Sequence, residues 1–173
     1  MIITPEMYEF FALDLDRHRG HIKEAAEIIV AAYPELNSLL NRAIMHDYSK
    51  KKKEVFDDYV VYIWNWEYFK KYGTCLKGYN KSKYDKLLAK HSRMEPHHPE
   101  YHKDYQMSNV DIAEMVCDWY SVGITRPGGC TMREWADKTV NKKWKFTERQ
   151  VKLIYNLITL LEGKNGKNQP FRF

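Results

Sequence analysis

The chain reads as an all-α protein, a single helical domain of about six to eight helices over residues 1–163 followed by a tail at 164–173. Three observations predict it. Apolar residues recur at spacings of three, four and seven along most of the length, the period of one helix face. Three later segments open on a cap pattern: Ser108-x-x-Asp111, Thr131-x-x-Glu134 and Thr147-x-x-Gln150. Strand patterns are scarce, since the β-branched and aromatic run YVVYIW at 59–64 is too isolated to build a sheet.

The elements follow in order. Thr4-Pro5-Glu6 offers an N-cap, a proline at the first helical position and an acid in the first turn. From there Phe11, Leu15, Ile22, Ala25, Ile29 and Ala32 mark one face of a helix over 5–32, with Gly20 a candidate kink. Pro34 restarts the chain, and Leu36, Leu39, Leu40, Ala43 and Ile44 line a helix over 35–47. An aromatic-rich helix is expected over 52–72 and a shorter one over 81–92. Pro96 and Pro99 bracket a break containing His97-His98. Helices then follow over 109–122, stopped by Gly123, and over 132–142 and 147–162, and GKNGKNQPFRF is expected to fray.

A chain of 173 residues can bury a core without staples, and 44% hydrophobic residues exclude a disordered polypeptide. Cys75, Cys117 and Cys130 form no C-x-x-C pair, which argues against a disulfide framework and a cysteine-rich zinc cage. No secretory leader or bilayer-spanning run is evident, so a soluble, cytoplasmic protein without a membrane partner is expected. The net charge of +5 is compatible with phosphorylated small molecules or nucleic acid. G-x-S-x-G, P-loop and G-x-G-x-x-G patterns are missing, leaving serine nucleophiles and dinucleotide binding without motif support.

The chemistry concentrates at residues 44–53, IMHDYSKKKK, where His46-Asp47 follows an apolar run and lysines follow the doublet. Imidazole and carboxylate suit zinc, iron, manganese and related divalent ions. Neighbours on a helix point about 100° apart, so the doublet needs ligands from other helices. An upstream helix offers His18 and His21, and EMVCDWY offers Asp118. We place His21 first, because the small and apolar Ala25, Ala26 and Ile29 follow it, whereas Lys23 falls in the turn after His18.

An upstream helical histidine, a His-Asp doublet and a later helical aspartate resemble the HD-domain superfamily over roughly residues 15–123. HDYSK, HHPEY and EMVCDWY look more closely like a family of uncharacterised HD-like proteins of bacteriophages and bacteria. The resemblance implies an HD-like helical bundle with a metal held by His21, His46, Asp47 and Asp118. Its cofactor would be one or two divalent ions, with Mn, Fe, Zn, Co, Ni and Mg not distinguished by these ligands. By analogy with binuclear HD enzymes such as the HD-GYP phosphodiesterases, His91, His97 and His98 would hold a second metal, bridged by Asp47. The chain departs from that pattern, since His91 and His97 are only six apart and no GYP segment occurs; His102 ranks last as a ligand.

Lys50 follows Asp47 by three residues, near one turn on if the helix continues, so its ammonium could meet a phosphate. Lys90 and Arg93 flank His91 as further phosphate contacts, whereas Lys51, Lys52 and Lys53 read as solvated charge. Glu114, four before Asp118, reads either as an acid beside the ligands or as surface, and Glu54 carries the same ambiguity. Trp64, Trp66, Tyr62, Tyr68 and Phe69 read as core and rim. The expected function is a metal-dependent phosphohydrolase, with Asp47 and Lys50 in its catalytic centre and a nucleotide or related phosphoester as substrate. The alternatives are an HD-type di-iron oxygenase and a basic nucleic-acid-binding module without catalysis.

Overall fold

The computed structural model describes residues 2–125 and 130–164. Within them the protein is all-α, with seven helices: α1 Pro5–Ala32, α2 Leu39–Met45, α3 Phe56–Tyr72, α4 Lys81–Ser92, α5 Asn109–Thr125, α6 Met132–Thr139 and α7 Glu148–Lys164. Strand pairing among the described residues is limited to an isolated bridge between Val140 and Trp144. No described helix is long and apolar enough to cross a membrane. The expected tail, beyond Lys164, lies outside the described residues.

The caps explain the later helix starts. Thr131 and Glu134 close a reciprocal capping box at α6, and Thr147 with Gln150 does the same at α7. At α5 the Asp111 carboxylate accepts from the Ser108 backbone N–H, while Ser108 Oγ accepts from Asp111 N–H. Several ends differ from expectation. Pro34–Leu36 forms a 3-10 turn, so α2 starts at Leu39; it stops at Met45, and Ile44 is exposed. The lysine run precedes α3, which starts at Phe56. Helix α5 passes through buried Gly123 to Thr125, because one glycine weakens a packed helix without ending it.

The chain divides into two compact units. One comprises the chain up to Asp16 together with Asp47–Glu95. There Phe11 and Leu15 of α1 pack with Tyr59, Val60 and Ile63 of α3 and Tyr84 and Leu87 of α4. The run YVVYIW is therefore helical, its branched side chains buried on one face.

The other unit comprises Arg17–His46 and the chain from Pro96 onward. Its centre is α5, apolar around most of its circumference, packed against α2, α6 and α7. Ile112, Met115, Val116 and Trp119 are core, with Leu157, Ile158 and Leu161 of α7 wholly or almost wholly enclosed.

Candidate metal centre

In the second unit, α5 carries one polar stripe on an otherwise apolar surface. Glu114, Asp118 and Ser121 follow each other by four and three residues, which puts them on one side of the helix. Glu114 and Ser121 are buried. Burying such groups is tolerable only with partners, and the partners are histidines.

His18 Nε2 lies 3.3 Å from Asp118 Oδ1, and His46 Nε2 lies 3.8 Å from the same oxygen. The two rings are 5.3 Å apart. The opposite nitrogen of each ring is already engaged. His18 Nδ1 sits 2.7 Å from Ser121 Oγ, whose hydroxyl donates to the His18 carbonyl at 2.9 Å, so that oxygen is left to accept Nδ1–H. His46 Nδ1 donates to Glu114 Oε1 at 2.8 Å. Both imidazoles therefore turn Nε2 toward one carboxylate oxygen. Two ring lone pairs facing an anion repel each other unless a proton or a cation lies among them. Burial pushes the Asp118 carboxyl up, but with a proton on Nε2 the bonds from His18 and His46 outweigh it and hold its pKa well below the usual range.

Glu114 is the hub behind His46. Arg42 Nε donates to Glu114 Oε2 at 2.7 Å, and Arg42 Nη1 lies 2.9 Å from Asp111 Oδ1. His97 Nδ1 is 3.5 Å from Glu114 Oε1, and its ring lies 4.2 Å from that of His46. Burial raises the Glu114 pKa, yet the bonds from His46 and His97 bring it down to about 2. Within this unit, two groups thus have the composition and proximity to hold a metal ion: His18 with His46 and Asp118, and His46 with His97 and Glu114. Arg42 already occupies the Glu114 carboxylate, which fits Glu114 as the group that orients His46 rather than as a ligand itself.

His18, not His21, is the residue brought to Asp118. Helix phase explains the correction. At about 100° per residue, the wholly buried Ile22, Ala25, Ala26 and Ile29 centre about 30° from His18 but about 90° from His21. His21 sits at the edge of the buried stripe, and its Nδ1 has no hydrogen-bond partner. Desolvation lowers its pKa. Lys23 does not count against His18, because it points to solvent beside Glu27.

His46 leaves α2 in an extended conformation (φ −52°, ψ 133°), its carbonyl held by Arg19 Nε at 2.8 Å. The His98 ring lies 4.3 Å from that of His97, tilted by 42°. His102 Nε2 lies 2.7 Å from the Pro96 carbonyl, tying down the proline-bounded loop.

In the first unit, Asp47 adopts the left-handed conformation (φ 58°, ψ 21°), so the helix does not run on through the doublet. A 3-10 turn, Tyr48–Lys51, replaces it. That turn still carries Lys50 back to Asp47: the Lys50 ammonium pairs with Oδ2, and its backbone N–H donates to the Asp47 carbonyl at 3.0 Å. His91 Nε2 lies 3.0 Å from Asp47 Oδ1, and His91 Nδ1 is 3.4 Å from Ser49 Oγ. Burial, followed by the Asp47 charge, raises the Tyr59 pKa strongly. Lys90, Arg93 and Glu54 are exposed.

Ser121 and Arg42 escaped the sequence reading. The signal for Ser121 was a hydroxyl one turn beyond Asp118 in an apolar helix, whereas Arg42 carried none. No curated protein and no solved structure matches the chain. Residues 7–160 match a family of unknown function, DUF5662, and the chain belongs to that family.

Proposed function

We propose that this protein is a metal-dependent phosphohydrolase acting on a nucleotide or related phosphoester, with the chemistry that its resemblance to the HD-domain superfamily implies. One observation carries the proposal: the Nε2 atoms of His18 and His46 both face Asp118 Oδ1, with each Nδ1 engaged behind. Two imidazoles and a carboxylate form a donor set suited to zinc, manganese or iron, and an enclosed cation would relieve the repulsion among them. His18, His46 and Asp118 would hold the ion. A bound divalent ion supplies a water of lowered pKa and polarises a phosphoryl oxygen.

The protein's own groups prepare that site. Ser121 and Glu114 fix the imidazole tautomers, and Arg42 compensates the buried charge of Glu114. Asp47 and Lys50 are carried over from the resemblance. The Lys50 ammonium has donors beyond the one directed at Asp47, and these can meet a phosphoryl oxygen. A phosphoester is preferred over other substrates because of Lys50 and the net positive charge.

The test is metal analysis of protein purified without chelators, followed by a phosphate-release screen across nucleotides and other phosphoesters. The expected result is a divalent ion that is lost in His18→Ala, and metal-dependent release from at least one substrate. Failure to bind any divalent ion refutes the reading. Oxygen consumption by an iron-loaded protein that cleaves no phosphoester replaces it with the oxygenase.

A further inference from the structure

The first unit contains an open cavity of about 100 Å³ beside the Asp47–Lys50 turn. We propose that it is the binding site for the ring of a monocyclic organic phosphate, of which a pyrimidine nucleoside monophosphate is the reference case. This deepens the phosphoester reading and rests on it.

Size, lining and charge each narrow the occupant. A closed cavity of roughly 150 Å³ encloses a benzene ring, so about 100 Å³ with an open mouth seats one ring and leaves the second ring of a fused pair outside the apolar wall. Val55, Leu87 and Met94, with the Tyr59 ring, form an apolar wall. A bare oxyanion gains nothing against that wall, because it would shed water without replacement bonds. An unsaturated ring loses little there, and the Ser49 hydroxyl offers its polar edge a hydrogen-bonding group.

The charged lining consists of Lys52, Lys90 and Glu54. Two ammonium groups and one carboxylate leave one net positive charge, which complements a phosphomonoester better than a polyphosphate or a nucleic-acid backbone. Both lysines are exposed, so the phosphate stays at the solvated rim while the ring enters.

Calorimetric titration of the full chain with CMP, cytidine, AMP and inorganic phosphate tests the proposal, with EDTA present so that no metal participates. CMP should bind, with AMP and phosphate at least about tenfold weaker. Met94→Trp, at a side chain that is 41% exposed, should fill the mouth and weaken CMP about tenfold with the melting temperature preserved. Lys90→Ala should weaken CMP about two- to fivefold and leave cytidine unchanged, the scale of one exposed ion pair. The proposal is overturned if AMP or phosphate binds as tightly as CMP, if folded Met94→Trp binds CMP like the parent, or if nothing binds. Because metal is chelated, such a failure is distinguishable from a failure of metal-dependent phosphate release, which needs the ion.

Discussion

Replacing Ser121 with alanine removes one oxygen and tests whether the α5 stripe orients metal ligands. Ser121 is wholly buried, and its hydroxyl lies 2.7 Å from His18 Nδ1 and 2.9 Å from the His18 carbonyl. Without it, the Nδ1–H loses its acceptor at a wholly buried position. A buried donor left in that state costs about 1–3 kcal/mol. The imidazole can avoid the cost by moving its proton to Nε2, but that removes the lone pair a metal needs. Both routes weaken metal binding. At about 1.4 kcal/mol per factor of ten, the range is roughly 5- to 150-fold, and loss of an orienting partner typically costs about 10–100-fold. Competition against a chromophoric chelator, with zinc or cobalt, reads the affinity directly. His18→Ala should lose at least as much as Ser121→Ala, while His21→Ala should change affinity by less than about twofold. Thr125→Ala is the control, because Thr125 makes a comparable helical bond at 2.9 Å to the Ser121 carbonyl without touching a histidine. Parental affinity in folded Ser121→Ala, or a larger loss in His21→Ala than in His18→Ala, would refute the reasoning.

Two further outcomes are expected. Lys50→Ala should lower phosphohydrolase turnover by about two to three powers of ten and destabilise the fold by about 3 kcal/mol, because Asp47 is buried and loses its ammonium partner. Lys52→Ala, at an exposed side chain, should change stability by less than about 0.5 kcal/mol and act mainly on salt-sensitive association; equal effects of the two changes return Lys50 to the solvated run. Tyr155 donates to Asp137 at 2.6 Å, and burial, followed by that bond, raises its pKa to about 12. A phenol whose folded pKa lies above its unfolded value contributes stability below about pH 10 and loses it as pH rises through about 12. Tyr155→Phe should therefore flatten the alkaline limb of the unfolding profile, and an unchanged limb disproves the linkage.

Local sequence is enough to specify most of the helices and the residue types of the candidate site. Capping boxes at Thr131 and Thr147 act within four residues, so their geometry is local and legible. Helix phase is legible too: Ile22, Ala25, Ala26 and Ile29 point the buried face of α1 toward His18 rather than His21. Asp118 was identified from its place in an apolar helix, and Glu114 stood between two readings until its burial was known.

How those groups meet depends on long-range packing. Ser121 and His18 are 103 residues apart, and Arg42 and Glu114 are 72 apart. No spacing rule connects such pairs, because their contact depends on how α1 and α2 pack against α5. The turn at Asp47 is a related case: the helix ends before it, at Met45, and the left-handed aspartate opens a 3-10 turn through which Lys50 reaches its carboxylate. Periodicity reports which way a side chain points from its own helix, but the partner that fills the space opposite comes from distant chain, and that partner sets tautomer, charge and role.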